Sequence, residues 1–174
     1  MRVQFYKTDE RRYGIVIVRD RGEPLRMPTA PGNDPLMPHD LQHFIAEQEL
    51  GIEFGVFGQV AAGGSAGTFH GETRDGKTKR RSQRLMRAGR GDSARSERAT
   101  YVCMFNWLAA SANPALRHRA AEMADTATSM LAAMDASERR SFDTQTVARI
   151  NARMDALSRQ WTATRIGDCL ELQW

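Results

Sequence analysis

Apolar and polar positions alternate at both ends of the chain and follow helical spacing between them. Residues 2–7 and 14–19 read as strands, the second short, β-branched and closed by the turn signal Asp20-Arg21-Gly22. A third short strand over Glu23 to Met27 completes a meander, and Asp168 to Trp174 alternates again as a closing strand of the same sheet. Pro28, Pro31, Pro35 and Pro38 mark an ordered connection. A helix is then predicted from Pro38, with Leu41, Phe44, Ile45 and Leu50 as its apolar face and Gly51 ending it. Residues 53–62 predict a second short helix whose Gly55, Gly58 and Ala62 share a face suited to close approach of another backbone.

Residues 63–96 are glycine-rich and then basic, and read as a surface loop, most basic over about 71–95. Ser96 is placed to cap a helix running to Ser111, which Asn113-Pro114 breaks. Two more helices follow. One carries Leu116, Met123, Met130 and Met134, and the other carries Val147, Ile150, Met154, Leu157 and Trp161. Their short connection predicts an antiparallel pair packed on each other, and core filling accounts for most of the nine methionines. The expected architecture is one α+β domain over residues 1–174. A small antiparallel sheet, built from the N-terminal strands and the C-terminal strand, packs against four or five helices.

Composition narrows the class without naming a function. Hydrophobic residues at 41% and charged residues at 26% are ordinary for a globular chain, and no apolar run is long enough to span a bilayer. The N-terminus lacks the apolar core of a signal peptide. Cys103 and Cys169 fit no metal or redox spacing, so a cytoplasmic setting is the expectation. Cys103 lies among apolar residues as an inert thiol.

The chemistry concentrates in His39-Asp40-Leu41-Gln42-His43-Phe44-Ile45-Ala46-Glu47. On a helix His39, His43 and Glu47 form one stripe, and residues four apart lie about 6 Å apart along the axis, a span that suits two ligands of one ion. Imidazole and carboxylate are ligands that zinc, iron or manganese accept. The step from His39 to Glu47 is about 12 Å. His39 and His43 are therefore the expected metal ligands, with a third supplied by Glu47, Glu53, His70 or an acid elsewhere. Glu47 and Asp40 are the candidate catalytic carboxylates. Asp40 lies off the stripe, in the first turn, where it favours the helix dipole or supports a ligand from behind. The same dipole is expected to keep His39 neutral. Without a metal, the segment is a capped amphipathic helix whose histidines hydrogen-bond loop carbonyls.

The run Pro38-His39-Asp40-Leu41-Gln42-His43-Phe44-Ile45-Ala46-Glu47, with Gly51, Gly55-Val56-Phe57-Gly58 and Ala61-Ala62-Gly63-Gly64 after it, resembles a bacterial protein family of uncharacterised activity. Its His-Asp-Leu-x-His core is also similar to the His-Asp-x-x-His motif of the ubiquinone-biosynthesis family, which is helical and associated with zinc. In that family a glutamate follows the second histidine by about a dozen residues. Here that neighbourhood holds Gly55 and Val56, with Glu53 out of register. The likeness covers barely a tenth of the chain.

Two further patterns enter the reading. Gly71-Glu72-Thr73-Arg74-Asp75-Gly76-Lys77-Thr78 satisfies the phosphate-loop pattern. No buried strand precedes it and no later strand ends in the Asp that would hold Mg²⁺, so a nucleotide site is not expected. The segment from Arg74 to Arg98 is strongly basic and lacks an aromatic residue to stack a base. Two functions therefore stand side by side. One is a metal-dependent enzyme, zinc-type and most simply a hydrolase of a small molecule, using His39 and His43. The other is a non-enzymatic binding protein whose Arg-rich segment contacts nucleic acid or a protein partner.

Overall fold

A computed structural model describes residues 1–27, 29–30, 34–71, 76–89 and 91–174. Strands β1 (Arg2–Asp9), β2 (Arg12–Val18), β3 (Leu25–Met27) and β4 (Cys169–Gln173) form one antiparallel sheet in the order β3-β2-β1-β4. Val3 and Phe5 sit opposite Ile17 and Ile15 on one side and Leu172 and Leu170 on the other. Alternation puts Val3, Phe5, Tyr13, Ile15, Ile17, Leu25 and Met27 on a buried face. The other face carries polar groups such as Gln4, whose amide donates to Glu171 across the strands. The fold is the α+β architecture expected, with the C-terminal strand closing the N-terminal sheet.

Seven helices are present among the described residues: α1 (His39–Leu50), α2 (Val56–Ala61), α3 (Gly76–Ala88), α4 (Asp92–Ala109), α5 (Pro114–Ala132), α6 (Ala136–Arg140) and α7 (Thr144–Ala163). Helix α1 starts after Pro38 and stops at Gly51, whose left-handed φ of 62° ends the helix while its N–H bonds back to Glu47. Every residue from Leu41 to Glu47 is buried, so α1 is the central helix and not a surface one. Phe44 packs edge-on against Phe5 of the sheet and Phe57 of α2. On its far side α1 meets α4 and α7.

Several expectations are corrected. The basic segment read as a loop folds as α3 from Gly76, because arginine, lysine, glutamine and leucine are good helix formers and nothing in the segment breaks the turn. The described part of that segment is held by a few anchors. The Ser65 N–H donates to Ser82 Oγ, Arg81 Nε donates to the Ala62 carbonyl, and Leu85 lies against Gly64. Ser96 caps no helix: α4 begins four residues earlier, behind Gly91, and Ser96 is buried inside it. Helices α5 and α7 both pack on α4 rather than on each other. The reason is visible in their faces. Helix α5 buries only Ala120 and Ala127, whereas α7 buries Ile150, Met154, Leu157 and Trp161 in the main core. Helix α6, capped by the reciprocal Asp135–Glu138 box, is an addition. No described helix is long and apolar enough to cross a membrane.

Candidate metal centre

Helix α1 sets His39 and His43 one turn apart, and α4 brings Glu97 to the same point. The two Nε2 atoms are 3.1 Å apart, and a Glu97 oxygen lies 3.5 Å from His43 Nε2. All three residues offer ligand atoms within 4.8 Å of one another, so the group can hold a metal ion. Ligand nitrogens on a tetrahedral zinc with bonds of about 2.05 Å are separated by about 3.3 Å, close to the spacing here. The imidazole planes are nearly perpendicular, at 88°.

Behind His43 lies a buried relay. The Ser96 hydroxyl donates to Glu47 Oε1 at 2.7 Å, and its oxygen lies 2.8 Å from His43 Nδ1. Because Ser96 has one proton and gives it to Glu47, His43 Nδ1 must be the donor in the second bond. With the proton on Nδ1, Nε2 is the nitrogen that faces His39 and Glu97. Thr100 Oγ1, 3.1 Å from the same nitrogen, completes the seat.

Glu47 is fully engaged. Its two oxygens accept the Val56 and Phe57 N–H groups at 2.6 and 2.9 Å, fixing the start of α2. A Cβ on Gly55 would lie 2.2 Å from Glu47 Oε1, so only glycine admits the carboxylate there. A Cβ on Gly58 would meet the Glu53 carbonyl at 2.0 Å, so this glycine makes room for the turn that leads into α2 and not for a separate backbone. Burial pushes the Glu47 carboxyl up, against the pull of Ser96 and the two amides.

Desolvation lowers the His39 pKa, and the neighbouring His43 adds to it, against the pull of Asp40 and Glu97. The neutral His39 expected from the helix dipole thus has a different main cause. Glu97 is held below the usual carboxylate range by its hydrogen bond with His43, which outweighs partial desolvation.

Of the residues singled out in the sequence, His39 and His43 come together and Glu47 and Asp40 do not join them. Glu47 reaches His43 only from the Nδ1 side, and its oxygens are spent on structural bonds. Asp40 accepts a 2.6 Å hydrogen bond from the Tyr13 hydroxyl. Both carboxylates thus lie outside the group that His39, His43 and Glu97 form. Glu53 and His70 are not in the group either: His70 bridges Arg26 beside the sheet. The third residue of the group is an acid distant in sequence, Glu97. Ser96, Glu97 and Thr100 were the residues missed. Their signal was a polar Ser-Glu-x-x-Thr run at helical spacing, just before the apolar half of α4 that begins at Val102.

The group opens on a cavity of about 340 Å³, lined by His39, Glu97, Tyr101, Met104, Arg119 and Met123 among others. Arg119 pairs there with Asp34. Cys103 stays apart, its thiol pushed up to about 12 by burial. The phosphate-loop match lies partly outside the described residues, with Gly76, Lys77 and Thr78 opening α3. No protein-family model, no curated protein and no solved structure matches this chain.

Proposed function

We propose that the protein binds one divalent metal ion, zinc being the best fit, through His39 Nε2, His43 Nε2 and the Glu97 carboxylate, and that it hydrolyses a small molecule held in the adjoining cavity. The convergence of these three groups, with their ligand atoms within 4.8 Å, is the observation that carries this reading. Two imidazoles and one carboxylate are a ligand set known for catalytic zinc, with a fourth position left to water. When bound, such an ion supplies a hydroxide at neutral pH and polarises a carbonyl or phosphoryl oxygen.

The protein's own residues do the rest. Ser96 and Glu47 fix the His43 tautomer and ring orientation, the role that supporting carboxylates play behind metal-bound histidines. Tyr101, Met104 and Met123 line a mostly apolar wall, and Arg119 is the cation available to an anionic substrate group once it leaves Asp34. The resemblance to the ubiquinone-biosynthesis motif points the same way for His39 and His43. Its downstream glutamate has no counterpart on this helix, and Glu97 of α4 takes the carboxylate position.

Metal analysis of the purified protein tests the reading. About one zinc per chain is expected, with loss of metal in His43→Ala and Glu97→Gln, and zinc should raise the Tm of the metal-free protein. Absence of metal together with an unchanged Tm in the presence of zinc, iron or manganese would overturn it.

A further inference from the structure

Helix α3 carries Lys77, Lys79, Arg80, Arg81, Arg84 and Arg87 and no acidic residue. Those six cations exceed the net charge of the whole chain, +4, so the remainder is net −2 and the positive excess is confined to one helix. Lys77, Arg80, Arg81, Arg84 and Arg87 fall within an arc of about 120° and run about 15 Å along the axis. Ser82 is buried and Leu85 half-buried on the side that faces the protein, so Arg80, Arg84 and Arg87 point outward, while Arg81 at the edge of the arc bonds the Ala62 carbonyl through Nε. Among the described residues Arg80, Arg81, Arg84 and Arg87 make no ion pair.

The stripe borders two hollows. One, of about 530 Å³, is lined by Lys77, Arg80, Arg81, Arg84 and Leu85 alone. The other, of about 950 Å³, shares Lys77 and Arg81 and reaches Arg19 and Arg21 on the β2–β3 turn, with Asp20 and Glu23 also on its wall. The Met1 amino group lies 3.5 Å from Asp20 and offsets part of that negative charge.

We propose that α3 and these hollows bind the phosphate backbone of a nucleic-acid duplex without reading its sequence. A stripe of about 15 Å matches the axial length over which one strand of a duplex presents about four phosphates. Four of the six cations are arginines, whose planar forks suit phosphate oxygens. The stripe itself has no aromatic residue, and Trp174 on the wall of the larger hollow is one ring, short of the succession of stacked bases that single-strand binding relies on. The stripe has no apolar residue to insert below lipid headgroups either, since Leu85 turns inward and Met86 lies off the stripe.

Binding of the full-length protein to a fluorescent random-sequence DNA duplex, followed by anisotropy over a range of salt concentrations, tests the proposal. About four neutralised phosphates predict a slope of log K against log salt of about −4. Arg80→Gln/Arg84→Gln/Arg87→Gln should weaken binding at low salt roughly tenfold or more and make the slope shallower by two to three. Arg84→Gln alone should reduce the slope by about one, and His43→Ala should bind as the native protein does. Four results would overturn the proposal: no binding at low salt, binding that the triple change leaves intact, equal or tighter binding of a single strand, or preferential binding of anionic phospholipid vesicles.

Discussion

Glu47, His43 and Ser96 are polar residues like the arginines of α3, yet they are 1%, 2% and 0% exposed, whereas Ser82 is the only buried residue of α3. The difference lies in where each polar group finds its partner. In the α1–α4 cluster every partner is another protein group in a fixed place. Removing one leaves the others desolvated and unpaired, which is the costly half of any buried hydrogen bond. On α3 the side chains of Arg84 and Arg87 face solvent, where water adjusts to any side chain, while Arg80 and Arg81 bond backbone carbonyls through Nε. The cluster therefore belongs to the fold as well as to the site, while α3 is free to serve a partner.

The largest test of that contrast is Glu47→Ala. It strips the acceptor from the Val56 and Phe57 amides and from Ser96, and should cost about 3–5 kcal/mol in denaturant unfolding of metal-free protein. A cost under about 1 kcal/mol would mean that water satisfies these groups and that the cluster is no different in kind from α3.

Next is Ser96→Ala, which breaks the relay at one point. Stability should fall by about 1–3 kcal/mol. Metal affinity should fall about 10–100-fold, because the His43 ring loses the group that fixes its tautomer. Competition with a chromogenic chelator measures it. Unchanged zinc affinity in a folded Ser96→Ala protein would show that the relay is packing alone.

Neutralising Arg80, Arg84 and Arg87 together is the mirror experiment. Solvated charges without ion-pair partners should change stability by less than about 1 kcal/mol in total. A loss of more than about 2 kcal/mol would show that α3 is held by buried pairs and would remove the contrast.

Local signals made α1 legible: proline before it, glycine after it, and a turn-spaced histidine pair. The sheet was legible too, because alternation in Val3/Phe5, Ile15/Ile17 and Leu170/Leu172 states which face is buried. What stayed hidden was pairing across the chain. Glu97 is 54 residues from His43, and its charge reads as one of a few acids offsetting a basic run. Ser96 has the chemistry of a helix cap, and only the presence of Glu47 on a facing helix turns its hydroxyl inward. Helix α3 was missed for the opposite reason. Its periodicity is carried by charge: the cations gather on one arc, and too few apolar residues face the other way to read as a helix seam, although the residues favour helix individually.

The smallest expected effect concerns pH and sets α3 against a second ionic group on α1. Glu49 accepts hydrogen bonds from Arg149 at 2.6 Å and Arg153 at 2.7 Å, joining α1 to α7. Burial alone would raise its carboxyl pKa, but the two guanidiniums outweigh burial and hold it below the ordinary value of 4.5. A carboxyl depressed in the folded state stabilises the protein above its unfolded pKa, and that contribution is lost as pH falls through the folded value. The native protein should therefore exceed Glu49→Gln in Tm at neutral pH, and the gap should close as the pH drops below about 4.5. Partial solvent screening keeps the whole effect below about 1 kcal/mol. Helix α3 has no acid, so the gap between native protein and the triple arginine variant should stay flat over the same range. A Glu49→Gln gap that persists unchanged into strong acid would mean that Arg149 and Arg153 hold α7 by packing against α1 and not by charge.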